Sequence, residues 1–174
     1  KTGYYLRKYM NPSVSLDPDK PNKLYHHYVL FRYAEILLNY AEAMNEWKGP
    51  DATAEGCPLS AREALNQVRD CADMKHVTEN GTDFTAKVRN ERRIELAFEG
   101  HRFYDIRRWK IAGLDEVRNL YGVKITKSGT SLSYEKVLLQ QMYWNDKMYL
   151  FPYPQNEIYM NPDLGQNPGW STGN

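Results

Sequence analysis

Apolar positions recur at three- and four-residue spacing from about Tyr25 to Trp47, through Phe31, Ala34, Leu38, Ala41 and then Met44 or Trp47, and Gly49-Pro50 stops the pattern. That period predicts a first α-helix. Ser60 with Glu63 three residues later reads as a capping box, and Ala61, Ala64, Leu65, Val68 and Ala72 extend a second apolar stripe to about residue 75. The short connection predicts that residues 25–48 and 60–75 pack as an antiparallel helical hairpin. A third helix is predicted from near Thr82 to the region of Gly100, and a fourth from about Arg102 to Ala112. Past Gly113 the period changes: VKITKS and SLSYEKVLL flank Gly129 with β-type residues and predict a small hairpin. The closing YLFPYPQNEIYMNPDLGQNPGW carries two Asn-Pro turn initiators and predicts a long ordered coil wrapping the helices from Tyr149 onward. Residues 1–23 show no sustained period and predict an irregular leading segment.

The fold class predicted is therefore mainly α, with tetratricopeptide-type helical hairpins, one small β-hairpin and a long C-terminal coil. No second copy recurs at the 34-residue period of such arrays. With 174 residues and 41% hydrophobic content, the chain suffices for a single domain spanning 1–174 with its own core. Its 23 basic and 22 acidic side chains are interleaved, which argues against a nucleic-acid stripe. No apolar run approaches the roughly 18 residues of a membrane span. Cys57 and Cys71 stand fourteen positions apart, in no metal-ligand or redox spacing.

Charge concentrates in NERRIELAFEGHRFYDIRRW, residues 90–109, which holds five arginines and four carboxylates. Glu91, Glu95 and Glu99 form an acidic row at i, i+4 spacing, and such a row repels itself. Helical spacing supplies a cation for each carboxylate: Arg92 three before Glu95, Lys87 four before Glu91, and Arg102 and Arg108 each three from Asp105. Ile94, Leu96 and Phe98 project in different directions, so the segment is covered on several sides and its charges survive as pairs. Arg92, Glu95, Glu99, Arg102, Asp105 and Arg108 thus read as a structural ion-pair network. A glycosidase would need two carboxylates with one pKa held high, and neighbouring arginines do the opposite. His101 lacks the second histidine of a helical zinc site, and His26 and His27 carry no motif. No metal or cofactor site, phosphate loop or nucleophile elbow is predicted, and the chain reads as non-enzymatic.

The same stretch, ERRIELAFEGHRFYDIRRW, resembles the signature of the SusD/RagB family of outer-membrane nutrient-binding lipoproteins. RYAEILLNYAEAMNE, ALNQVRDCADM and LFPYPQNEIYMNPDLGQNPGW resemble the family's preceding helix, partner helix and terminal segment, in the family's order, and TGYYLRKY fits near the start. Tyr153, Gly165 and Trp170 depart mildly from the usual residues. The resemblance implies a C-terminal portion of a longer protein, with a lipid-anchored N-terminus and further helices upstream. It implies a cell-surface protein that captures oligosaccharides or similar nutrients and delivers them to a SusC-type TonB-dependent transporter. A peptide-binding member of the family, or a stand-alone helical interaction module, are the alternatives. Sugar platforms are aromatic faces flanked by polar groups. Among 14 tyrosines and 4 tryptophans, Tyr143 and Trp144, beside Asn145 and Asp146, are the candidate ligand-binding pair, and the family's main binding loops are expected upstream.

Overall fold

The computed structural model describes residues 2–15, 17–22, 24, 29–161 and 163–171. The chain gathers into two compact units, one of residues 27–104 and one built from residues 1–26 together with 105–174. Among the described residues there are six α-helices and one two-stranded antiparallel sheet.

The first unit is helical. Helix α1 spans Tyr33–Lys48 and buries Leu37, Leu38, Ala41 and Met44. It starts later than the apolar period suggests: Val29 to Arg32 are not helical, Arg32 is extended at the N-cap, and Tyr25 to Tyr28 lie outside the described residues. Phe31, read as part of the apolar stripe, precedes the helix and is 81% exposed, and Trp47 is also exposed. Gly49 ends α1 with φ 84°, a backbone region costly for other residues, and its N–H donates to Asn45 O. The chain then turns, and the Arg62 N–H donates to Pro50 O, so α2, Ala61–Asp70, starts beside the end of α1.

The capping box of α2 forms as its sequence predicts. The Ser60 hydroxyl accepts from the Glu63 N–H while the Glu63 carboxylate accepts from the Ser60 N–H. Ala61, Ala64, Leu65 and Val68 are buried, whereas Ala72 lies past the helix end and is exposed. Helix α3, Gly81–Glu95, runs antiparallel to α1, as three contacts establish: Asn45 with Thr85 (2.9 Å), Asn39 with Arg92 (2.5 Å) and Arg32 with Glu95 (2.5 Å). Leu38, Leu65, Phe84 and Val88 are fully buried, one or two from each helix, and each contributes about 1.5–3 kcal/mol by leaving water. Helix α3 stops at Glu95, not near Gly100, because Phe98 (φ 64°) and Gly100 (φ 83°) adopt left-handed backbone. A short helix α4 follows at Arg102–Arg108, ending before the predicted Ala112.

The second unit joins two distant stretches of chain. After α5, Asp115–Arg118, strand β1 (Asn119–Ser128) pairs with β2 (Ser131–Gln141). Ser128 pairs with Ser131 across a two-residue turn in which Gly129 has φ 59°. The register shifts once, between Leu120 and Tyr121. The leading segment meets β1: the Val123 N–H donates to Thr2 O at 2.8 Å, and a Cβ added at Gly122 would stand 2.6 Å from both Thr2 O and Leu139 Cδ1.

The tail is ordered through side-chain-to-backbone bonds more than through regular elements. A 3-10 turn at Asp146–Tyr149 is capped by Asn145, whose side chain accepts from the Lys147 N–H, and a six-residue helix α6, Gln155–Met160, interrupts the predicted coil. Gln166 bonds both backbone groups of Tyr153, and Asn167 donates to Phe151 O. Asn167-Pro168-Gly169-Trp170 makes a tight turn, with the Trp170 N–H donating to Asn167 O and Gly169 at φ 82°. Proline in second and glycine in third place suit a type II turn. The Trp170 indole N–H then donates to Lys147 O and Leu150 O, both at 3.0 Å, and this bond closes the tail on itself.

Candidate functional site

Glu91, Glu95 and Glu99 of the charge-dense stretch find cations from elsewhere in the chain. Glu99 accepts from Arg32 Nε at 2.8 Å and Glu95 from Arg32 Nη1 at 2.5 Å, while Arg32 Nη2 donates to Glu95 O. These bonds, that to Glu99 foremost, hold the Arg32 guanidinium in its charged form well above its ordinary range. Glu91 pairs with Arg69 of α2, and Lys87 instead reaches Glu79 at 3.0 Å. Arg92 is buried and donates to Asn39. Asp105, 2% exposed, is bonded by Arg108 at 2.9 Å, within α4. Arg102 is half-buried. Arg92, Glu95, Glu99 and Arg102 thus belong to the helical unit and Asp105 and Arg108 to the other. Helical spacing locates the Asp105–Arg108 pair but misses Arg32 and Arg69, because those come from other elements.

Tyr143 and Trp144 follow β2 and differ sharply in setting. Tyr143 is 72% exposed. Trp144 is half-buried: its ring meets the edge of Tyr149 at 4.8 Å between centroids, the Arg107 guanidinium lies 5.3 Å from it, and its indole N–H donates to Asp146 at 3.3 Å. Gly113 packs on the same indole, and a Cβ added there would lie 3.1 Å from it. Trp144 thus forms an anchored wall of side chains with Tyr149 and Arg107, whereas Tyr143 stands open.

Next to that wall lies an open pocket of about 390 Å³, lined by Lys110, Asp146, Lys147, Tyr149 and Gly169 among others. The Lys110 ammonium sits 4.3 Å from the Tyr149 ring centroid and that of Lys147 4.3 Å from the Trp170 ring centroid. Lys110, Lys147 and Tyr149 were not singled out by sequence reasoning. The readable signal was the NDK run after Trp144, where the Asn145 cap turns Asp146 and Lys147 toward one cavity.

Paired helices in one unit, and a small β-hairpin with an ordered tail in the other, define a protein of the tetratricopeptide-like helical-hairpin kind. The sequence profile of the SusD family matches residues 1–170, and the chain belongs to that family. It is 28% identical to SusD-like protein P25 of Formosa agariphila over 95% of this chain and 28% of that protein. It superposes on the crystal structure of a SusD-like protein from Bacteroides fragilis with a TM-score of 0.66 and 37% identity, over 83% of this chain and 26% of the other. Surface glycan-binding protein A from Bacteroides thetaiotaomicron is similar over 80% of this chain and 24% of its own, at 25% identity and a TM-score of 0.50. The chain spans little more than a quarter of the length of the relatives it matches. The ordered motifs, from RYAEILLNYAEAMNE to the terminal NPGW, therefore mark the family as their resemblance implied.

Proposed function

We propose that this chain is part of a non-catalytic cell-surface protein that captures oligosaccharides and delivers them to a SusC-type TonB-dependent transporter in the outer membrane, to which a lipid anchor holds it. The observation that carries this reading is the SusD-family match across residues 1–170, joined by the likeness to a surface glycan-binding protein. The side chains support it. Tyr143 presents an open ring of the kind that stacks on sugar C–H faces, and it is followed in the chain by Trp144, which packs on Tyr149, and by the polar Asn145 and Asp146. Glu91, Glu95, Glu99 and Asp105 are each engaged by an arginine in an ion pair, as struts within the fold are.

The test is to incubate the intact protein with a panel of glycans and follow both retention and product size. Retention without shortened products supports the reading. Hydrolysis that disappears on substituting Glu91, Glu95, Glu99 or Asp105 overturns it. Titrating this chain alone beside the intact protein locates the site: weaker binding by the chain alone places most of the platform in the remainder, and equal affinity places it within these residues.

A further inference from the structure

The pocket bounded by Lys110, Lys147 and Tyr149 has a charge pattern that a neutral sugar does not need. Its lining contributes two ammonium groups against one carboxylate, that of Asp146, and one oxygen of Asp146 already accepts the Trp144 indole N–H. Among the described residues, neither lysine has a carboxylate within ion-pair distance. Each ammonium is instead held over an aromatic ring, Lys110 over Tyr149 and Lys147 over Trp170, both at 4.3 Å from the centroid. A ring takes up one side of an ammonium without neutralising its charge, and the remaining N–H donors stay available. The stem of Lys147 is held too, because Gly169 approaches so closely that an added Cβ would lie 2.8 Å from Lys147 Cβ. Each cation is therefore positioned over a ring, exposed Lys110 by Tyr149 and half-buried Lys147 by Trp170 and Gly169.

We propose that this pocket binds the acid group of an anionic glycan, a carboxylate or a sulfate ester, with both lysines on the acid group and Asp146 on a neighbouring hydroxyl. Its volume of about 390 Å³ lies within the range of small-ligand sites and admits a sugar unit with its substituent. Charge-assisted bonds to an acid group are stronger than those a neutral hydroxyl makes. The proposal rests on the oligosaccharide-capture reading and names the ligand class for this region of the chain.

The experiment is calorimetric titration of the intact protein with three sets of oligosaccharides: uronic acid oligomers, their carboxyl-reduced neutral forms, and sulfated oligomers beside their desulfated forms. The expected result is that an acidic ligand binds about tenfold more tightly than its neutral counterpart, and that Lys110→Met and Lys147→Gln each remove most of that preference. The uronate and sulfate arms decide which acid group is taken. Raising the ionic strength should weaken the acidic ligand and leave the neutral one unchanged, a readout that needs no variant. Lys147→Arg, which keeps the charge, should retain the preference. Equal binding of acidic and neutral forms overturns this proposal and leaves oligosaccharide capture standing, whereas no binding in any arm overturns both. A preference that survives in a folded Lys110→Met, Lys147→Gln double variant also overturns it.

Discussion

Arg32 and Glu99, 67 positions apart in the chain, meet at 2.8 Å through Nε and Oε2. The same guanidinium holds the Glu95 side chain and the Glu95 carbonyl, so one residue ahead of α1 ties down the whole end of α3. Arg32→Ala should lower the unfolding free energy of the intact protein by about 2 kcal/mol in denaturant titration, the scale of lost charged hydrogen bonds in a partly buried setting. Arg32→Lys should lose nearly as much, because a single ammonium cannot reproduce the planar fork. A variant as stable as wild type would show that the contact contributes little.

Asn66 in α2 accepts the buried Val77 N–H at 2.9 Å, across the turn that leads into α3. Asn66→Ala strands that donor without water, at a cost of about 1–3 kcal/mol. Hydrogen exchange at Val77 should accelerate by more than the global loss of stability, since the amide loses its acceptor directly.

The carboxyls of Glu63, Asp51 and Glu79 are held below the usual range: Glu63 by the Ser60 N–H first, Asp51 by Arg62 and Glu79 by Lys87. A lowered folded pKa means that the unfolded chain takes up these protons first as pH falls. Their stabilisation is therefore complete above the unfolded values of about 4 and lost as pH drops through the lower folded ones. The stability gap between wild type and Glu63→Gln should be widest above about pH 5 and close steadily below about pH 4 in thermal melts. A gap that widened in acid would reverse the sign and refute the assignment. Ser60→Ala should cost about 1 kcal/mol at neutral pH through the same cap.

Tyr143 and Trp144 should separate on substitution. Tyr143→Ala removes an exposed ring and should weaken glycan retention with an unchanged melting temperature. Trp144→Ala also removes the partner of Tyr149, Arg107 and Gly113, and should lower the melting temperature clearly as well. Calorimetry of the two variants beside ligand titration checks both halves.

Patterns read within one element were legible in the sequence; contacts that join elements were not. The Ser60–Glu63 cap, the Gly129 turn and the buried stripe of α2 follow from local spacing, and all three are present. The start of α1 was misplaced because Val29 to Arg32 continue the apolar and helical-looking pattern, while in the structure Arg32 is extended and bonds Glu95 and Glu99. The end of α3 was misplaced because Phe98 takes a left-handed φ that no propensity for phenylalanine suggests. Among the site residues, Tyr143 and Trp144 could be singled out as aromatics next to polar neighbours. Lys110 could not, since only the folded tail brings it to the cavity of Lys147.

The bond from Val123 to Thr2 joins chain positions separated by the whole of residues 27–104. On the ribosome, the leading segment with its exposed Tyr4, Tyr5 and Met10 must wait for β1 to be made. At ordinary elongation rates that delay is roughly ten seconds, ample time for the helical unit to fold first. Once residues 27–104 are compact, the loop to be closed is effectively shorter, and each halving of its length saves about 0.6 kcal/mol of closure entropy. The order of synthesis therefore lets residues 27–104 fold before the two stretches of the other unit meet.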